Sequence, residues 1–154
     1  MNTISENIKT LIDSSTLFEN TVAIYDIDGT LLTTTYDPAR AKPIMPIVDT
    51  YNYALSKGIM PIIITAREGS LPNVHATVEQ LKYHGIKNFH IIYFRPSDIY
   101  DVANYKLLAR KNVVERNFSP LYSVGDMPFD IGAYGGYGFQ VPILEETYNY
   151  QVPA

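Results

Sequence analysis

The sequence predicts a doubly wound α/β domain, a three-layer α/β/α sandwich around a five-stranded, mostly parallel sheet. Short apolar, β-rich runs alternate with helical patterns at the spacing of βαβ units. Three of those runs stop on polar groups, at Asp26-Ile27-Asp28-Gly29, Thr65-Ala66-Arg67 and Gly125-Asp126. In such sheets ligands sit beyond the carboxyl ends of the strands, near the point where strand order reverses.

Ile4, Ile8, Leu11, Ile12 and Leu17/Phe18 recur at helical spacing, which predicts an amphipathic helix within residues 1–20. "TVAIYD" (21–26) is a buried strand. "KPIMPIVDTYNYALSKG" (42–58) is a helix with proline in its first turn and Gly58 just past its end. "IMPIIIT" (59–65) is the second strand. "SLPNVHATVEQLKYHG" (70–85) is a helix opened by Ser70 or Pro72 and closed by Gly85. "NFHIIYF" (88–94) is the third strand, and 97–117 is helical for at least its second half. A fourth strand (120–126), a short helix and turn in "MPFDIGAYGG" and a fifth strand (137–143) complete the pattern. No repeat or Pro/Gly/Ser linker divides the chain, so 1–154 reads as one domain with its core over 21–143.

Composition narrows the chemistry. With 154 residues, 46% hydrophobic and 18% charged, the chain can bury a real core. A formal charge of −4 argues against broad electrostatic binding to nucleic acid or anionic membrane, without excluding a local basic pocket. The absence of cysteine removes disulfides, zinc–thiolate sites and cysteine nucleophiles. "MNTISENIKTLIDSSTLFEN" lacks the pattern of a signal peptide, and no apolar run reaches the roughly 18–20 residues of a membrane span. The expectation is a cytoplasmic protein.

The strand ends carry the chemistry. With a side-chain period of two, Asp26 and Asp28 can point one way at the sheet edge while Ile27 returns to the core, and Gly29 permits a sharp turn. Two close carboxylates repel, so they call for a cation or a shared proton. Both solutions suit Mg²⁺-dependent phosphoryl transfer, one carboxylate attacking phosphorus and the other protonating the leaving oxygen. A calcium loop, a solvated turn and a degenerate non-catalytic domain are the competing readings. The calcium loop is disfavoured by Leu31 at its sixth position and by the preceding strand.

Thr65, followed by free backbone N–H groups at Ala66 and Arg67, makes a phosphate cradle, although a β-branched residue there also suits a cap or plain strand. Arg67 could clamp an anion or lie on the surface. Asp126 and Asp130 stand one helical turn apart and could face one hard cation, or serve as a helix cap and a solvated residue. "YKLLARKNV" supplies Lys106, Arg110 and Lys111; a lysine near the site would neutralise nucleophile and phosphate. His75, His84 and His90 have no metal-ligand spacing and read as structural.

In order, "DIDGTLL", "PIIITAR", "YKLLARKNV" and "GDMPFD" resemble the four motifs of the haloacid dehalogenase-like (HAD) phosphohydrolases, with a Rossmann-like core. The resemblance runs over about 21–143. It is nearest to the acid-phosphatase-like branch, which includes the plant vegetative-storage-type and bacterial class B enzymes. A weaker similarity, chiefly the "TARE" turn, is to the phosphatase domain of phage polynucleotide kinase.

That resemblance implies Asp26 as nucleophile, forming an aspartyl-phosphate, and Asp28 as general acid and then base. It implies Thr65 and Lys106 on the phosphoryl group, and Mg²⁺ on the Asp26 carboxylate, the Asp28 backbone carbonyl, Asp126 and Asp130. The second aspartate makes dehalogenation an unsuitable reaction, since a departing halide needs no proton. Members of this branch are typically exported, with longer N-terminal extensions, whereas this chain shows no signal peptide.

Caps that select substrates in this superfamily follow strand one or strand three. Only 32 residues (33–64) separate the first motif from Thr65, and 40 separate Thr65 from Lys106, too few for a cap. An uncapped site admits bulky phosphorylated substrates, or needs a neighbouring subunit to close it. The segments 33–42 and 94–101 are the local substitutes. The expected function is Mg²⁺-dependent phosphomonoester hydrolysis. The alternatives are a phosphotransferase or nucleic-acid 3′-phosphatase with the same chemistry, and a non-catalytic phosphate-binding domain.

Overall fold

The computed structural model describes residues 2–142. Five strands, β1 (Thr21–Tyr25), β2 (Met60–Glu68), β3 (Ile91–Arg95), β4 (Ser119–Gly125) and β5 (Tyr137–Gln140), form one sheet in the order β3-β2-β1-β4-β5. Every pairing is parallel, with Tyr25 opposite both Ile63 and Val124. Four helices join them: α1 (Asn2–Ser14), α2 (Met45–Ser56), α3 (Leu71–Tyr83) and α4 (Val102–Glu115). Among the described residues no helix is long and apolar enough to cross a membrane.

The central strand is buried along its whole length, as a parallel sheet covered on both faces demands. Its side chains alternate between two cores. Ala23 and Tyr25 meet α1 and α2 through Ile8, Ile12, Ile47 and Tyr51. Val22 and Ile24 meet α4 through Tyr105, Ala109 and Val113. Helices on both faces give the predicted three layers, and the strand order reverses between β1 and β4. The Asp26-Ile27-Asp28 turn leaves at that point, with the Asp26 N–H donating to the Val124 carbonyl at 3.0 Å.

Several boundaries differ from the sequence reading. α2 begins at Met45 with Pro46 in its first turn, because Pro43 is taken up in a bridge to Leu32. α4 begins at Val102, where the Asp101 carboxylate accepts from the Asn104 N–H at 3.0 Å. Residues 88–90 lie outside β3, Asn88 having a φ of 61°. The short helix after β4 is a single 3-10 turn, Pro128–Asp130. β5 ends at Gln140, and Ile143, included in the predicted strand, lies outside the described residues.

One polar chain crosses the core beneath the site. The Thr50 hydroxyl donates to the Ile47 carbonyl at 2.7 Å, so Tyr25 donates to Thr50 at 2.8 Å and accepts from Tyr122 at 2.7 Å. Burial raises the Tyr25 pKa well above the ordinary phenol value, so the hydroxyl is neutral. Tyr25→Phe keeps the ring contacts with Tyr51 and Tyr122 but strips both hydroxyl partners in a dry interior. The expected cost is about 1–3 kcal/mol, read as a lower urea midpoint at unchanged slope.

Candidate active site

Asp26 is the first residue after β1, only 6% exposed, and its Oδ1 accepts from Lys106 Nζ at 2.9 Å. Lys106 comes from the second turn of α4 and is itself buried, with its ammonium also on Asp130 Oδ1. Asp130 closes the 3-10 turn after β4, and its Oδ2 accepts from the Met127 N–H at 3.1 Å. Carboxylate oxygens of Asp26, Asp126 and Asp130 all lie within 4.8 Å of one another. Three acids thus crowd round one lysine.

Two glycines allow that crowding. A Cβ at Gly125 would sit 2.1 Å from the Asp130 Cβ, and one at Gly29 would sit 2.3 Å from an Asp126 carboxylate oxygen. Gly29 also holds φ at +81°, a region that side chains rarely adopt. Both positions must therefore lack a side chain for the carboxylates to converge.

The electrostatics reflect burial first. Desolvation pushes the Asp26 carboxyl well above its ordinary value; Lys106 opposes this and Asp130 adds to it. Asp126 is raised for the same leading reason, again with a contribution from Asp130. Burial alone would depress Lys106, yet Asp26 and Asp130 together outweigh it and the ammonium is held. One cation against three acids, Asp26 and Asp130 buried and Asp126 half-buried, leaves an unbalanced negative charge. All the donors are carboxylate oxygens, with no imidazole or thiolate in the group, so the cluster fits a hard divalent cation such as Mg²⁺.

Asp28 stands apart from this cluster. Its carboxylate meets Arg67 in a two-pronged pair, Nε to Oδ2 at 3.0 Å and Nη2 to Oδ1 at 2.8 Å. The Asp28 side chain is 37% exposed and faces the open side, while Ile27 returns to the core as expected. The remaining Arg67 nitrogen donates to Gln80 Oε1 at 2.7 Å and Thr77 Oγ1 at 3.3 Å on α3. Gln80 in turn donates to the Pro38 carbonyl at 2.7 Å. Arg67 is neither a surface residue nor a free anion clamp: its guanidinium orients Asp28.

Thr65 is fully buried at the same sheet edge, one strand from Asp26. Strand β2 runs on to Glu68, because Glu68 pairs with Arg95 beyond an irregularity, so Thr65-Ala66-Arg67 belongs to the strand end rather than to a loop. The Arg67 N–H is not free, since it donates to Thr65 Oγ1 at 3.1 Å. The Ala66 carbonyl holds Arg95 at 2.9 Å. Arg110 is buried, donating to the Ala133 carbonyl at 2.9 Å and to the Phe129 carbonyl, and so fixes the loop that carries Asp130. Lys111 is exposed.

Sequence reasoning did not find Gln80 and Thr77. Their only local signal is the i, i+3 spacing that puts both on one face of α3.

Comparison with known proteins bears on the family and the fold. Residues 34–148 match the model of the acid phosphatase family described as HAD superfamily, subfamily IIIB; the match begins after the Asp26–Gly29 turn. The class C acid phosphatase from Bacillus anthracis, solved with tungstate bound, is similar in structure over 99% of this chain and 85% of that one. The TM-score is 0.67 and the identity 15%. A chain of the Pnkp1/Rnl/Hen1 RNA repair complex is similar over 82% of this chain at TM-score 0.71 and 17% identity. This chain covers only 43% of that protein's length. No curated protein matches the chain. At such identities the structural likeness is one of fold, whereas the family match spans about three quarters of the sequence. The chain therefore belongs to the acid phosphatase family of the HAD superfamily, subfamily IIIB.

Proposed function

We propose that the protein is a Mg²⁺-dependent phosphomonoesterase that works through an aspartyl-phosphate on Asp26. The observation that carries this reading is the buried Asp26–Lys106–Asp130 arrangement, with Asp126 alongside, at the point where strand order reverses. Family membership supports the reaction class.

In the first half-reaction a carboxylate oxygen of Asp26 attacks phosphorus and the bond to the leaving oxygen breaks. Asp28 gives that oxygen a proton. In the second half Asp28 takes a proton from the attacking water, the phosphorus–Asp26 bond breaks, and inorganic phosphate leaves. Lys106 opposes the protonation of Asp26 that burial favours and offsets the phosphoryl charge. With the acceptor side of its hydroxyl committed to the Arg67 N–H, Thr65 has its own proton to offer a phosphoryl oxygen.

Asp26, Asp126 and Asp130, with the Asp28 backbone carbonyl, would hold Mg²⁺, which when bound supplies charge neutralisation for the three acids and the phosphoryl oxygens. Chelation is the direct test. Hydrolysis of an aryl phosphate should disappear with EDTA and return with excess Mg²⁺. Turnover indifferent to the chelator would remove the metal from the mechanism, and no turnover in either state would leave a phosphate-binding domain.

A further inference from the structure

A broad concavity among the described residues lies beside the carboxylates rather than over them. It is a groove of about 690 Å³ between the 3-10 turn Pro38–Arg40 and helix α3. Arg40, Lys42 and Arg67 line it together with Thr77, Gln80 and His84, and no acidic residue lines it. On a chain of net charge −4 this is a local reversal of sign. Arg40 and Lys42 are exposed and make no ion pair among the described residues. The wall they form is held in place, because Gln80 ties the Pro38 carbonyl to Arg67.

Arg67 is also the joint between groove and site. Its guanidinium lines the groove while two of its nitrogens hold Asp28. On the reading above, on which this inference rests, Asp28 protonates the leaving oxygen, so the leaving group emerges on the Asp28 side. The next surface it meets is the Arg67 wall, with Arg40 and Lys42 beyond. We infer that the groove is a leaving-group subsite for a second anion, so that the favoured substrates are phosphomonoesters whose leaving group carries a further phosphate or phosphodiester. A groove of this size accepts a ligand of nucleotide dimensions.

A matched pair of substrates isolates that second charge. Phosphate release from adenosine 3′,5′-bisphosphate and from adenosine 3′-monophosphate is compared as kcat/KM, with a 3′-phosphorylated tetranucleotide as a third substrate. The two compounds with a second phosphate or phosphodiester should be favoured by about tenfold, which two exposed charge pairs can supply. That preference should fall toward parity in the Arg40→Gln/Lys42→Gln double variant and with rising salt. A preference shared by both substrates with a second anionic group, or confined to one, supports the subsite and identifies the source of the anion.

Equal kcat/KM for all three, or a preference untouched by the double variant, would overturn it. Equilibrium binding of the same nucleotides with EDTA present separates this inference from the phosphatase reading. Tighter binding of the bisphosphate, lost in the double variant, upholds the groove even if nothing is hydrolysed. Equal binding there refutes it.

Discussion

Asp26→Asn should give a folded protein that releases no phosphate from an aryl ester, a fall of at least about four orders of magnitude. The amide keeps the volume of the carboxyl, and its oxygen can still accept from Lys106 Nζ, now 2.9 Å from Asp26 Oδ1. What is lost is the nucleophile, so no covalent intermediate forms. Stability should move the other way. Metal-free Asp26 is a buried acid whose pKa is raised well above its ordinary value, chiefly by desolvation. The folded state then holds its proton more tightly than the unfolded chain, so stability declines as pH rises from the unfolded value near 4 through the folded one.

In EDTA, the melting temperature of the unaltered protein should therefore climb on acidification from pH 7.5 to 5 relative to that of the Asn variant. Added Mg²⁺ should stabilise the unaltered protein at pH 7.5 by binding only the folded form. The variant, with one donor fewer, should gain less. A variant that turns over normally, or a pair of melting curves that track each other at every pH, would contradict the role given to Asp26.

How much of this was legible beforehand depends on which interactions are local. Strand β1 was legible because burial on both faces leaves a continuous apolar run, "TVAIY", and nothing else in that length reads so. The acid at its end was legible for the converse reason, since a carboxylate is costly there unless partnered. Lys106 and Asp130 were placed by order along the chain, yet their meeting depends on α4 folding back across the sheet and on Gly125 yielding space to Asp130. Gly125 gave no warning of that role, because a close approach is a property of two segments.

The alternation rule could not supply the partner of Asp28. It holds only while the strand lasts, and β1 ends at Tyr25; after it the Leu32 and Thr30 N–H groups both fold onto the Ile27 carbonyl, making a turn. Once the strand has ended, the direction of Asp28 is set by its partner, Arg67, 39 residues away in sequence. The extension of β2 to Glu68 was hidden for the same reason, because it needs Arg95 opposite. The two aspartates are thus held by different cations, Asp26 by Lys106 and Asp28 by Arg67, as the distinct roles proposed for them require.

That separation makes Asp28→Asn a different experiment from Asp26→Asn. The amide oxygen can still accept from the Arg67 guanidinium, and the nucleophile, Lys106 and the three-acid cluster are untouched. Besides the ion pair and one of the two Arg67 hydrogen bonds, proton transfer is removed, which costs about 10²–10⁴-fold where the leaving oxygen needs a proton. Alkyl phosphates, whose alkoxides leave poorly, should show the full loss. A 4-nitrophenyl ester leaves without help, so Asp26 should still be phosphorylated at a useful rate, while the water that must cleave the intermediate has no base. The expected trace is a burst of nitrophenol close to one equivalent per active site, then a slow steady state. The Asp26→Asn protein should show no burst with the same ester. If Asp28→Asn instead slowed every leaving group alike and gave no burst, Asp28 would be holding structure, through Arg67 and α3, rather than carrying the proton.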